Sequence, residues 1–174
     1  MTDKRRPSRK PMRMSGYDYN TNNRYFLTFC TGKRRCILSV IRPGDIFNPA
    51  ILTLTETGVI VDKFIKSSEN VPGISVDHYV IMPNHVHILL TLIQDEMVSA
   101  ELNDGSSRAP TPTNSVIARY VSGLKRLVNR EIGYNIWQRG YYDHIIRNED
   151  DYRNTWLYIS NNPACWAEDQ YYIS

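Results

Sequence analysis

Apolar residues recur along this chain with two different periods, and each change of period marks an element. The stretch "NRYFLTFCT" (23–31) is aromatic and β-branched and predicts a strand. "KRRCILSVI" (33–41) predicts a further short extended piece, closed by the turn residues "RPGD" (42–45). Over 54–68 the positions Val59, Ile60, Phe64 and Ile65 return at helical spacing, until "ENVPGIS" breaks the helix with Pro-Gly. "VDHYVIM" and "HVHILLTLI" predict two strands joined as a hairpin at Pro83-Asn84. Residues 95–114, rich in Ser, Pro, Thr and Asn, predict a long mobile loop. From Ser115 to about Glu131 an amphipathic helix presents Val116, Ile117, Tyr120, Val121, Leu124, Leu127 and Val128 on one stripe. "YYDHIIR" (141–147) predicts another strand. Asn148 then caps a last helix with Glu149, Asp150 and Asp151 in its first turn, where the dipole favours acids, and Pro163 ends it.

With the short 33–41 piece set aside, the order is β, α, β, β, α, β and one further α. That is the α+β pattern of a ferredoxin-like βαββαβ sandwich with an additional C-terminal helix. At 174 residues the chain suits one domain, over 16–174, behind an N-terminal arm, 1–15.

Candidate chemistry sits in "MPNHVHILL". On a strand His85 and His87 point to one face while Val86 and Ile88 point to the other, so the two imidazoles can converge on one divalent ion. A single histidine on an apolar strand is ordinarily a hydrogen-bonded core residue. A pair on one face raises the odds of a metal site without naming its chemistry. On the last helix Tyr152, Trp156 and Ile159 form a core-facing stripe, and Asp151, Thr155, Tyr158 and Asn162 follow one another at steps of four, three and four residues on another face. A carboxamide from Asn162 with two imidazoles is a hard, mixed set that suits Mg2+ or Mn2+. Tyr158, one turn away, is then either a nucleophile or one more half-buried tyrosine among 12.

Charge adds a partner class. The net charge is +3, yet residues 1–13 hold Lys4, Arg5, Arg6, Arg9, Lys10 and Arg13 against Asp3 alone. Such a Pro-interrupted arm is either a solubilising tail or a polyanion contact. Arg119, Lys125, Arg126 and Arg130 occupy much of the remaining surface of the long helix, with Arg139 beyond it, and are further basic positions open to a polyanion. Trp137, Tyr141 and Tyr142 follow that helix, with core packing the better role for Trp137. No apolar run is long enough to span a bilayer, and no apolar segment follows the basic start as a secretory signal requires. Three cysteines form no C-x-x-C pair. These features describe a cytoplasmic, reduced protein without a membrane partner.

Taken together, three blocks resemble a known family: "MRMSGYDYNTNNRYFLTFCT", "MPNHVHILL" and "NIWQRGYYDHIIRNEDDYRNTWLYISNNP". The middle block looks like the His-hydrophobe-His signature of HUH single-strand DNA endonucleases in their IS200/IS605-like transposase form. The last is similar to the C-terminal signature of the REP-associated tyrosine transposases. The resemblance runs from about Met12 to Tyr172 and implies a ferredoxin-like core with a tyrosine-bearing helix. It makes His85, His87 and Asn162 the ligands of Mg2+ or Mn2+ and Tyr158 the nucleophile. The implied activity is cleavage and joining of single-stranded DNA near hairpins through a 5′-phosphotyrosine, by a monomer or a homodimer. Cys165 and Trp166 depart from the usual continuation after this proline, which bears on local DNA contacts. His144 recurs in the family, and a bond to Asp143 or to backbone is the simpler reading of it. Two alternatives stay open: a catalytically silent hairpin-DNA-binding protein, and a metal-dependent phosphodiesterase with water as nucleophile.

Overall fold

The computed structural model describes residues 23–93 and 115–172. The arm over 1–15, with Lys4, Arg5, Arg6, Arg9 and Lys10, and the loop over 95–114 lie outside the described residues.

The predicted element order is observed, with the short early piece resolved into a hairpin of its own. The strands are β1 (Asn23–Cys30), β2 (Ser39–Arg42), β3 (Ile51–Leu54), β4 (Ile74–Ile81), β5 (His85–Leu92) and β6 (Tyr142–Ile145). The helices are α1 (Glu56–Lys66), α2 (Val116–Ile132) and α3 (Glu149–Asn161). A four-stranded sheet runs β4-β5-β1-β6 with every neighbouring pair antiparallel. β5 therefore lies between β1 and β4, the split βαβ arrangement of the ferredoxin-like sandwich.

β5 explains why its sequence lacks strand alternation. Both of its faces are covered, so both want apolar or satisfied side chains. Val86, Ile88, Leu90 and Leu92 join Tyr25, Leu27 and Phe29 of β1 in the main core beneath α1 and α2. The other face carries His85, His87 and Leu89, and Leu89 packs with Ile146 and Ile159 under α3. Strand parity thus puts the histidines on the α3 side, away from α2.

Local signals fix the helix ends. Ser115 accepts a hydrogen bond from the Ala118 amide, and Asn148 accepts one from the Asp151 amide at 2.9 Å. Gly133 closes α2 at φ 90°, a conformation that favours glycine. The predicted stripe on α3 needs correction. Thr155, Ile159 and Asn162 are buried, while Trp156 stays 37% exposed and stacks on His78 at 4.3 Å. The helix is rolled so that its polar row meets the histidines.

The β2–β3 hairpin is tied to α1 through Thr55, whose hydroxyl lies 2.6 Å from the Ile37 carbonyl and also caps the helix by accepting from the Gly58 amide. A Cβ on Gly58 would collide with the Leu38 carbonyl, so this helical glycine is a close-approach residue.

Candidate functional site

His85 and His87 are wholly buried, and their Nε2 atoms lie 3.0 Å apart. The outer nitrogens are tied back. His85 Nδ1 sits 2.9 Å from Asn84 Oδ1, and Asn84 Nδ2 donates to the Tyr171 carbonyl at 2.7 Å. The carbonyl at Tyr171 fixes which end of the Asn84 amide is nitrogen, so Oδ1 must accept from His85. That places the His85 hydrogen on Nδ1 and its lone pair on Nε2. His87 Nδ1 lies 2.7 Å from the Thr28 hydroxyl, its cross-strand neighbour on β1.

Both imidazoles are held neutral. Burial is the main cause for His85, which is pushed down to about 4, with Asp169 acting the other way and Arg34 adding to the shift. Burial and then the neighbouring His85 press His87 well below its ordinary range. The short contact needs an electropositive partner between the rings. His87 Nε2–H donating to His85 supplies one, and a divalent cation received by both lone pairs supplies another.

Oxygen donors complete the group. The Asp169 carboxylate lies 4.0 Å from His85 Nε2 with its side chain 2% exposed. His85, His87 and Asp169 bring one ligand atom each within 4.8 Å of one another. Asn162 Nδ2 donates to Asp169 Oδ2 at 3.0 Å, while Asn162 Oδ1 is buried with no hydrogen-bond partner. An orphaned carboxamide oxygen beside two neutral imidazoles and a carboxylate fits a hard divalent cation.

Asp169 is the member that sequence reasoning missed. It follows Asn162 in irregular chain, where no period predicts its direction. The short 3-10 turn Trp166–Glu168 brings it back, and the Tyr171 amide holds its Oδ1 at 2.6 Å. Tyr171 comes with it and covers His85 at a ring separation of 4.6 Å.

Tyr158 stands at the mouth of the group. Its hydroxyl is 3.4 Å from His87 Nε2, and its ring lies edge-on to Phe26 at 5.9 Å. Burial and then the Asp169 charge raise the phenol above its ordinary range, partly offset by the Asn162 amide. The ring is nevertheless 41% exposed, on the wall of a cavity of about 590 Å³. Tyr142 and His144 of β6 also line that cavity, with Asp151 of α3. His144 bonds to Asp151 at 3.0 Å, one helix cap away from the Asp143 partner read from sequence.

The basic residues divide by position. Arg119, Arg126 and Arg130 are exposed on α2, across the sheet from the histidines. Lys125 serves the fold: it donates to the Gln138 and Gly140 carbonyls at 3.1 and 2.6 Å, and burial lowers its ammonium to about 8. Arg139 is exposed in the same loop, next to the end of β1. Arg34, not singled out by sequence, donates to the Gln170 carbonyl and lies 5.0 Å over the Tyr171 ring, from a backbone turn with positive φ at Lys33 and Arg34. Trp137 and Tyr141 are buried in the core, which leaves Tyr142, 51% exposed, as the open aromatic of the three. Among the described residues, no helix is long and apolar enough to cross a membrane.

An antiparallel four-stranded sheet with a paired-histidine group under an added tyrosine helix defines the class of protein. No family model matches the sequence. An uncharacterized protein of Haemophilus influenzae is 32% identical over 95% of this chain and 93% of its own length. The REP-associated tyrosine transposase of Escherichia coli K12 is 30% identical over 65% of this chain and 58% of its own length. The solved structure of a REP-associated tyrosine transposase bound to a REP hairpin shares the fold, with a TM-score of 0.57 at 23% identity, over 90% of this chain and 77% of that one. The chain resembles the REP-associated tyrosine transposases, of the Y1 transposase-like kind, in sequence over part of its length and in fold over most of it.

Proposed function

We propose that the protein is a metal-dependent single-stranded DNA endonuclease and strand transferase that cuts near DNA hairpins through a 5′-phosphotyrosine on Tyr158. The observation that carries this reading is a pair of neutral imidazoles meeting a half-exposed phenol, whose hydroxyl is 3.4 Å from His87 Nε2 where Tyr158 and His87 line one cavity. The E. coli relative's name and the hairpin held by the solved transposase support DNA hairpins as the partner.

His85 and His87, with Asn162 Oδ1 or the Asp169 carboxylate, would hold Mg2+ or Mn2+, which supplies Lewis-acid polarisation of the scissile phosphate. The remaining work belongs to the chain. Phe26 and His87 pack against the Tyr158 ring and aim its oxygen into the cavity. That oxygen attacks phosphorus in line. The new P–O bond forms as the bond to the 3′ oxygen breaks, leaving the 5′ end on Tyr158 and a free 3′-OH. One phosphodiester replaces another, so a 3′-OH from a second end can reverse the step and join strands without ATP.

The test uses the protein and its Tyr158→Phe variant with end-labelled single-stranded hairpins from DNA flanking the gene, in Mn2+ or EDTA. The expected result on a denaturing gel is a Mn2+-dependent covalent adduct that the variant does not form. Tight binding without cleavage would instead identify a silent hairpin binder. Cleavage without an adduct, unchanged in the variant, would leave a hydrolase that uses water.

A further inference from the structure

The reaction proposed above, on which this inference rests, asks for a second group besides the nucleophile. A 3′ alkoxide is a poor leaving group, and a proton donor placed against it speeds departure. The residues around the histidine pair are already engaged: His85 with Asn84, His87 with Thr28, Asp169 with Asn162 and the Tyr171 amide.

His144, which lines the same cavity, is engaged through one ring nitrogen and leaves the other open. It lies opposite Phe26 in the β1–β6 register, and Phe26 also touches His87, with ring centroids 5.0 Å apart. Phe26 therefore separates the two histidines, with Tyr158 above it. His144 Nε2 is 3.0 and 3.1 Å from the two Asp151 oxygens. A carboxylate only accepts, so Nε2 carries a hydrogen and Nδ1 is the ring's remaining acid–base atom. Among the described residues, Nδ1 has no hydrogen-bond partner. Asp151 is itself fixed at the first turn of α3, where its carboxylate accepts from the Arg147 amide at 3.0 Å. The pair is a ring held by a carboxylate with its other nitrogen open, the arrangement that serves proton transfer in acyl-transfer enzymes.

Its position suits the leaving group better than the nucleophile. In-line displacement spans roughly 7–8 Å from the attacking oxygen, through phosphorus and the departing oxygen, to a hydrogen-bonded donor. The Tyr158 hydroxyl meets His87, whereas His144 is the cross-strand neighbour of Phe26 and lines the same cavity from β6.

We propose that His144, oriented by Asp151, is the acid–base residue of the 3′ oxygen. In cleavage the P–O bond to Tyr158 forms, the bond to the 3′ oxygen breaks, and His144 gives its Nδ1 proton to that oxygen. The phenol proton passes to solvent, which returns one proton to His144. In joining, His144 takes the proton from the attacking 3′-OH.

The test compares single-turnover cleavage of two hairpin substrates, one natural and one with sulfur in place of the 3′ oxygen at the mapped cleavage position. A thiolate leaves without protonation. Each variant is measured against itself on the two substrates, so a loss of folded protein cancels. The expected result is that His144→Gln slows the oxygen substrate by about 10²–10⁴-fold and the sulfur substrate by less than about tenfold. Asp151→Asn should shift the ratio in the same sense. Equal slowing of both substrates, or weakened hairpin binding as the whole effect, overturns the role of His144 and leaves Tyr158 as nucleophile. Cleavage whose adduct survives Tyr158→Phe, or no adduct with the unaltered protein, overturns the reading on which this one stands.

Discussion

A histidine pair kept neutral by burial ties stability to pH in a definite direction. His85 has its proton affinity lowered from 6.5 to about 4, so between those values the unfolded chain binds more protons than the folded one. The contribution of His85 to stability is fully present above pH 6.5 and is lost as pH falls toward 4. Urea midpoints of EDTA-treated protein should therefore drop across this window, and His87→Gln should flatten the drop. Asn84 gives a second expectation. Asn84→Ala leaves the buried His85 Nδ1–H without an acceptor and removes a tether to Tyr171, at a cost of about 1–3 kcal/mol. It should also weaken the Mn2+-induced rise in melting temperature, with affinity down about 10–100-fold. At this scale the sequence was informative where a period exists. His85 and His87 share a face by strand parity, and Tyr158 and Asn162 share one by helix spacing. Asp169 and Tyr171 follow a break in periodicity, and only the fold brings them back over the site.

Among the elements, α1 and α3 show two ways in which helical pattern misleads. A glycine inside a helix normally costs about 1 kcal/mol relative to alanine. Gly58→Ala should run the other way, since the methyl would strike the Leu38 carbonyl; overpacking of this kind costs about 1–3 kcal/mol. A lower urea midpoint with unchanged slope would bear this out, and a higher one would show that the β2–β3 hairpin yields freely. On α3 apolar spacing pointed Trp156 inward, whereas the polar row Thr155 and Asn162 is buried. Sequence periodicity reports which residues are apolar, and this helix packs against a face that is itself polar. The split βαβ order was readable because the core helices have a clean period and the core strands are apolar, β-branched or aromatic runs bounded by turn residues. Of the β2–β3 hairpin only β2 was, as a short extended piece; β3 was not, because the strands are four residues each and half exposed.

For the whole molecule, the charged surface and the histidine site occupy opposite faces of the sheet. Arg119, Arg126 and Arg130 stand on α2, and α3 covers the other side. If α2 receives hairpin phosphates, replacing the three by glutamine should weaken binding. The slope of log affinity against log salt should then fall by up to about 0.9 for each phosphate no longer neutralised. The cleavage rate of bound DNA should stay within a few-fold, because no part of the site is touched. Filter binding over a salt series and single-turnover kinetics measure the two separately. A rate that collapses while affinity stays intact would place α2 in the chemistry.

The candidate site draws on Thr28, His85, Tyr158, Asn162 and Asp169, residues widely separated along the chain. During translation the sheet partners β4, β5 and β1 are all available before the ribosome reaches α3. With Tyr158 in the nucleophilic role proposed above, a nascent polypeptide halted ahead of residue 158 would hold the histidines without the residue that cuts. On that reading the capacity to cut arrives only once α3 has been made.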